Sequence, residues 1–140
     1  MSETLSIIII LICLILSAYF SASETAFSTF NKVKIKNLSD KGNKKAKLVL
    51  NISENYDTML STILIGNNIV NILSASLATI LFISWINETS GPTVSTLVMT
   101  LVVLIFGEIT PKTLAKQRPE KFAMFSAPFL KFLMIIYHSF

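Results

Sequence analysis

The chain has 140 residues, of which 52% are hydrophobic and only 14% are charged, and its net charge is +4. A soluble domain carries about 25% charged residues, so this composition excludes an ordinary soluble domain and predicts an integral membrane protein with three or four spanning helices. The basic residues flank apolar runs and are not interleaved with aromatic residues on a soluble face, which excludes a nucleic-acid-binding protein.

The first apolar run, Leu5–Phe20, is almost long enough to cross a bilayer on its own, and we predict a span over about residues 5–30. A secretory signal peptide is the alternative, because Ser21-Ala22-Ser23 resembles a cleavage site. Such a peptide begins with positive charge, whereas residues 1–4 carry none, so the sequence favours a retained membrane helix. The single cysteine, Cys13, lies inside this run and can form no internal disulfide.

Polar residues continue from this run along one helical face, at spacings of i, i+4, i+7 and i+11. They are Ser17, Ser21, Glu24 and Ser28. Ser23 points about a third of a turn away from them. The hydroxyls either hydrogen-bond to a partner helix or belong to a polar site. Glu24 either meets water at the end of the helix or lines the cytoplasmic mouth of that site.

The second span, predicted over about residues 57–85, contains a glycine and three amides that a lipid-facing helix would avoid. These are Gly66, Asn67, Asn68 and Asn71. Asn67, Asn71 and Ser74 share one helical face, whereas Asn68 lies on another. Gly66 permits close approach of a neighbouring backbone. Buried amides either join helices by hydrogen bonds or line a polar cavity, and three amides within five positions favour the cavity.

The third span is predicted over about residues 93–110, which places Glu108 within or just below the hydrocarbon. Pro111 removes a backbone donor and disfavours helix at the preceding residue, so we expect the helix to unwind near Glu108. An unwound turn with freed carbonyl oxygens is a common form of membrane cation site. The alternative is an interfacial Glu108 paired with Lys112.

The fourth apolar segment, Phe122–Phe140, is interrupted by Pro128 and Lys131, and we predict a helix over about residues 119–140. Its basic start favours a juxtamembrane helix lying along the cytoplasmic interface over a kinked spanning helix. Two clusters of basic residues lie on the same side of the predicted spans. They are Lys32, Lys34, Lys36, Lys41, Lys44, Lys45 and Lys47, and then Lys112, Lys116, Arg118 and Lys121. The positive-inside rule therefore predicts an extracellular N-terminus and a cytoplasmic C-terminus.

These patterns predict an all-α integral membrane fold of three transmembrane helices and one interfacial helix. The polar groups at membrane depth are serine hydroxyls, asparagine amides, glycine backbone and glutamate. Oxygen ligands of this kind select hard cations such as Mg²⁺, Ca²⁺, Mn²⁺ or Na⁺ over Zn²⁺ or copper, although their spacing does not separate Mg²⁺ from Na⁺. The sequence contains no nucleophile–base pair or catalytic motif, so we do not expect an enzyme.

Three motifs occur in order: SAYFSASETAFS (residues 17–28), TILIGNNIVNI (62–72) and VLIFGEITPKTLA (103–115). With the lysine-rich loop between the first two spans, they closely resemble the transmembrane (DUF21) domain of the CNNM/CorC family of magnesium transporters. The resemblance extends from about Leu5 to Phe140. Either of the last two motifs alone would be weak, whereas the combination is specific.

The resemblance implies a homodimer in the cell membrane with a Mg²⁺ site among the three helices of each subunit. The positions matching the family's site are Ser17, Ser21, Asn67, Asn71, Gly107 and Glu108. Residues expected to shape or support this site are Ser23, Glu24, Gly66, Asn68, Pro111 and Lys112. Among the supporting residues, Asn68 falls at a position that the family varies.

The implied function is export of Mg²⁺ from the cytoplasm, with inward Na⁺ flow as the candidate driving force. The alternative is a non-transporting membrane module that senses Mg²⁺ or scaffolds another transporter. Family members continue into cytosolic CBS domains, which we therefore expect in the full-length protein. Because this sequence stops at Phe140, we expect it to be the isolated multi-pass transmembrane domain, with the lipid bilayer and a second copy as its partners.

Overall fold

Three long apolar helices dominate the computed structural model, which describes residues 2–139. They are α1 (Glu3–Thr29), α4 (Tyr56–Trp85) and a continuous third helix, Gly91–Gln117. Each is long and apolar enough to cross a membrane, because a helix of about 27 residues extends roughly 40 Å and the hydrocarbon is about 30 Å thick. The predicted all-α architecture with three helices of spanning length is confirmed.

Helix α1 does not stop at the glutamate that follows its apolar run. It begins where the Leu5 N–H donates to Ser2 Oγ at 3.1 Å, and it ends at Thr29, after which Phe30 is extended. The predicted continuation to about residue 30 is therefore confirmed. Glu24 lies inside the helix, one turn before its end.

The lysine-rich loop folds into two short helices, α2 (Lys32–Asp40) and α3 (Lys44–Glu54). An asparagine caps the start of each, since Asn31 accepts from the backbone of α2 and Asn43 accepts from that of α3. Gly42 turns the chain between them with a φ of 95°, a conformation that glycine adopts without strain.

The third helix differs from its prediction, because it neither unwinds near Glu108 nor ends near residue 110. An α-helical part, α5 (Gly91–Val102), leads into a π-helical segment (Val103–Ile109), and α6 (Thr110–Gln117) follows directly. In the π-helical segment the bonds reach back five residues, as when the Thr110 N–H donates to the Ile105 carbonyl. Pro111 lies at the start of α6, directly after this wider turn.

The last helix, α7 (Pro119–His138), packs against both α1 and α3. The Tyr19 hydroxyl donates to the Ser126 carbonyl at 2.6 Å, and Lys131 Nζ donates to Asn51 Oδ1 at 2.8 Å. Among the described residues, α7 does not belong to the helices apolar enough to span. Its interfacial position, the orientation and the dimer remain predictions, and the predicted helix end at Phe140 lies outside the described residues.

The apolar core lies where α2, α3 and α7 meet the ends of α1 and α4 on the side of the lysine-rich loop. Its fully buried side chains include Ala26, Ile35, Ala46, Val49, Ile52, Met59, Ala123, Ala127 and Leu130. On the other side of the domain, the outward faces of the long helices expose Leu, Ile and Val, as surfaces in contact with lipid do. The core therefore anchors the lysine-rich end of the bundle.

Gly91 provides a test of the hairpin between α4 and α5. A Cβ at this residue would lie 2.7 Å from Ile83 Cα and 2.8 Å from Ile83 N, and this backbone cannot rotate away. Gly91→Ala should therefore destabilise the domain by about 1–3 kcal/mol, measured as a lower Tm in detergent. Ser90→Ala is the matched control, because the Ser90 side chain makes no capping bond. Equal Tm values for the two variants would contradict this packing.

Candidate cation site

Ser17 lies in the middle of α1 and is completely buried (0% exposed). Its hydroxyl donates to Asn67 Oδ1 of α4 at 3.0 Å. Inside a bilayer no water is available to replace such a bond, so the hydroxyl and the amide satisfy each other across the helix interface. At this pair the serine face of α1 is turned toward the asparagine face of α4.

The amide oxygen of Asn67 is a meeting point of two donors. Besides the Ser17 hydroxyl, it accepts from Asn71 Nδ2 at 3.5 Å, the outer limit of a hydrogen bond. Ser74, one turn further along this face, is buried and donates to the Asn71 carbonyl at 3.0 Å. Asn68 lies on a different face and is exposed, as its spacing predicts.

Gly107 of the π-helical segment brings the third helix to the same point. A Cβ at this buried glycine would lie only 2.9 Å from Ser17 Oγ. A larger residue would force apart the two helices or displace the hydroxyl. Ser17 therefore lies at the junction of all three long helices, which we call the central junction, defined by Ser17, Asn67, Asn71 and Gly107.

The π-helical segment also changes the backbone next to the junction. Its turn is wider than that of an α-helix, and Pro111 has no N–H to donate to a carbonyl of the preceding turn. A carbonyl oxygen thus loses its backbone donor without the helix being broken. Short π-helical turns of this kind occur frequently at functional sites.

Ser21 lies one turn beyond Ser17 on α1 and is 1% exposed. Its Oγ has no hydrogen-bond partner among the described residues. The neighbouring Ser23, by contrast, donates to the Tyr19 carbonyl at 2.7 Å, which is how most serines in membrane helices are satisfied. A buried hydroxyl left unpaired costs about 1–3 kcal/mol, so this hydroxyl one turn from Ser17 needs an explanation that the described residues do not supply.

The two glutamates make no hydrogen bond to the junction residues within residues 2–139. Glu108 Oε2 is 3.5 Å from Lys112 Nζ, in a pair whose side chains are 32% and 41% exposed. This pairing is the alternative that the sequence left open. Glu24 is half-buried and makes no ion pair within residues 2–139. Within the same residues, no group of three His, Cys, Asp or Glu side chains could hold a metal.

The structure thus brings together four of the six predicted ligand positions. The four are Ser17, Asn67, Asn71 and Gly107. Ser21 lies beside them with an unpaired hydroxyl, while no hydrogen bond among the described residues links Glu108 to them. Of the supporting residues, Gly66 is approached by the ring of Phe20 and not by a neighbouring backbone as predicted, since a Cβ there would lie 2.7 Å from that ring, and Pro111 is buried.

A second polar groove, not foreseen from the sequence, begins at Asn71. It encloses about 250 Å³ between α4 and α5, and its other polar lining residues are Thr79, Ser95, Thr96 and Thr100. The hydroxyls of Thr79 and Ser95 lie 3.4 Å apart across the interface. In the sequence, this groove is indicated by the i, i+4 spacing of Thr96 and Thr100, which places both residues on one face of the helix.

Three helices of spanning length with polar side chains meeting between them define a multi-pass integral membrane domain. Residues 8–140 match the CNNM family, described as the Cyclin M transmembrane N-terminal domain. The chain belongs to this family. The resemblance drawn from the three sequence motifs is thereby confirmed.

Relatives of the chain include bacterial membrane proteins. It is 44% identical over 131 residues to a UPF0053 protein of Haemophilus influenzae, covering 94% of the chain and 31% of that protein. It is 41% identical over 121 residues to the UPF0053 inner membrane protein YfjD of Escherichia coli K12, covering 86% and 28%. The chain therefore spans less than a third of the length of these curated relatives.

One further relative carries a functional name. The polyamine export protein of Escherichia coli K12 is 43% identical over 70 residues. The match covers 49% of the chain and 16% of that protein.

A double-mutant cycle tests the contact between Gly107 and Ser17. Gly107→Ala should destabilise the wild-type chain by about 1–3 kcal/mol, because the added methyl meets Ser17 Oγ. In a Ser17→Ala background the hydroxyl is gone, so the same substitution should cost less by at least about 0.5 kcal/mol. Unfolding in detergent measures all four variants. Purely additive effects would contradict the contact.

Proposed function

We propose that this domain carries Mg²⁺ across the membrane and that the ion binds at the central junction. The observation that supports this proposal is the convergence of the Ser17 hydroxyl and the Asn67 amide between three helices of spanning length, next to the unpaired hydroxyl of Ser21. Polar groups at membrane depth are expensive, and they commonly mark the pathway of an ion or substrate.

The chemistry of these groups favours a small hard cation. Hydroxyl, amide and carbonyl oxygens are the ligands of Mg²⁺, Mn²⁺, Ca²⁺ and Na⁺, and Mg²⁺ gives up its waters reluctantly. Neutral oxygens can therefore hold a partly hydrated Mg²⁺ by contacts to the ion and to its waters. Glu24 and Glu108 supply the negative charge that offsets it, and Glu108 must then leave Lys112, its present partner.

Ion entry would replace bonds that the helices now make with each other. Asn67 Oδ1 accepts from Ser17 and Asn71 in the structure, and the same oxygen is the group best placed to face a cation. A bound ion would therefore exchange one set of hydrogen bonds for metal–oxygen contacts. The three helices would move apart at the junction as this happens.

The family resemblance and one relative support a proposal for the direction and driving force of transport. We propose export from the cytoplasm driven by Na⁺ entry, by a homodimer with its N-termini outside. The relative named as a polyamine export protein supports an outward direction. Its name also makes an organic polycation a competing substrate. The junction favours the metal ion, because its oxygen atoms converge at one point, as the ligands of a small hard cation do.

Asn67 and Asn68 provide a matched pair of variants for a flux assay. The purified 140-residue chain is reconstituted in liposomes, and entry of Mg²⁺ or putrescine is followed with and without a Na⁺ gradient. Loss of a hydrogen-bonding or charge-dipole contact to an ion costs about 1.5–3 kcal/mol, so Asn67→Ala should weaken Mg²⁺ binding roughly ten- to hundredfold. Asn68→Ala should behave as wild type, because its amide is exposed on another face.

Each contrary result has a definite meaning. Equal Mg²⁺ flux in the two variants would mean that Asn67 does not contribute to the ion site. Mg²⁺ binding without flux would support the sensing or scaffolding module instead of a transporter. Putrescine flux without Mg²⁺ flux would mean that the substrate is an organic polycation and not Mg²⁺.

Variants of Glu108 and Lys112 show whether the Glu108 carboxylate binds the ion or has only a structural role. If Glu108 serves the ion, Glu108→Gln weakens Mg²⁺ binding, whereas Lys112→Gln leaves it intact or strengthens it, since Lys112 competes for the same carboxylate. If the pair is only structural, both variants bind Mg²⁺ equally and lose at most about 1 kcal/mol of stability. Isothermal titration with Mg²⁺ distinguishes the two cases, and we expect the first.

A further inference from the structure

A wide apolar groove lies between α1, α6 and α7, and its lining includes none of the four central-junction residues. It encloses about 470 Å³. Its wall is almost entirely apolar, and its aromatic lining residues are Tyr19, Phe106, Phe122, Phe125 and Phe129. Cavities of this size and lining are typical of sites that accept an apolar molecule.

The groove is open on the outer surface of the domain. Phe125 is 71% exposed and Phe106 is 60% exposed, although both are large aromatic side chains that line it. Such rings are stable in this position only when apolar material covers them. In a membrane domain, this surface faces lipid or another apolar partner.

Two cations lie at the corner where α6 passes into α7, between the lining residues Leu114 and Phe122 of this groove. Arg118 joins α6 to α7, and Lys121 lies one helical turn before Phe125 on the same face of α7. Neither makes an ion pair within residues 2–139. The adjacent carboxylate of Glu120 is instead directed to α2, where it lies 3.7 Å from Lys34 Nζ and accepts from the Asn31 N–H at 3.4 Å.

We propose that the groove binds one acyl chain of an anionic phospholipid, whose phosphate contacts Arg118 and Lys121. An apolar groove next to two cations that make no ion pair within residues 2–139 is complementary to a molecule with an apolar tail and a negative head. Basic residues at a membrane surface attract anionic headgroups in this way. A second copy of the chain is a poorer occupant, because it would have to bury both cations against its own surface.

The proposed lipid site uses none of the four central-junction residues. Either proposal can therefore be wrong while the other holds. The test of the lipid site is native mass spectrometry of the purified 140-residue chain with phosphatidylglycerol or phosphatidylcholine. We expect the chain to retain phosphatidylglycerol in preference. The double variant Arg118→Gln/Lys121→Gln should bind phosphatidylglycerol roughly tenfold or more weakly. The matched control is Lys44→Gln/Lys45→Gln, which makes the same change in net charge at two exposed lysines of α3.

A second pair of variants tests the apolar part of the site. Phe125→Ala should lower binding of phosphatidylglycerol several-fold, because it removes part of the groove wall. Phe132→Ala is the control, since Phe132 is also exposed on α7 but does not line the groove. Both rings are largely exposed, so neither substitution should unfold the domain.

Two results would overturn the proposal. Equal retention of the two lipids, unchanged in the double variant, would mean that ordinary surrounding lipid covers the groove. Loss of a dimer in Phe125→Ala, without a change in lipid retention, would mean that a second copy covers it.

Discussion

Ser17 lies where three membrane helices meet, and a bilayer offers its hydroxyl no water. Asn67 supplies the acceptor at 3.0 Å, and Gly107 allows the third helix to approach the same atom. A larger side chain at Gly107, or an apolar one at Asn67, would separate the helices or leave the hydroxyl unpaired. The packing of the bundle and the proposed ion site therefore depend on the same few polar atoms.

Hydrogen bonds between membrane helices contribute only about 0.6–2 kcal/mol each. The central junction is thus strong enough to define how the helices pack and weak enough for an ion to replace its bonds. Ser21 adds a hydroxyl that no group within residues 2–139 satisfies, and Asn71 reaches from the junction to the hydroxyl-lined groove between α4 and α5. These features connect the packing of the domain to the proposed passage of an ion through it.

Sequence patterns were sufficient for the features that depend on length and periodicity. They predicted that α1 continues past Glu24, and that Asn67 and Asn71 share one face of the second span, where they lie within hydrogen-bond distance of each other. The sequence patterns gave the wrong result at Pro111, because the rule that proline ends a helix considers only local residues. In the structure, contact with α1 and a change of hydrogen-bond register keep this helix continuous. The patterns also did not predict the apolar groove, since its shape depends on where α7 crosses α1 and no local pattern encodes that crossing.

The most direct test of the account is a pair of experimental structures of the chain in lipid, one with Mg²⁺ and one with a chelator. We predict an ion at the central junction with Asn67 Oδ1 or Ser21 Oγ at about 2.0–2.1 Å, waters completing its octahedral shell, and a longer distance between Ser17 and Asn67 than the present 3.0 Å. An unchanged contact between Ser17 and Asn67, with Mg²⁺ absent from the junction at saturating concentration, would contradict the account.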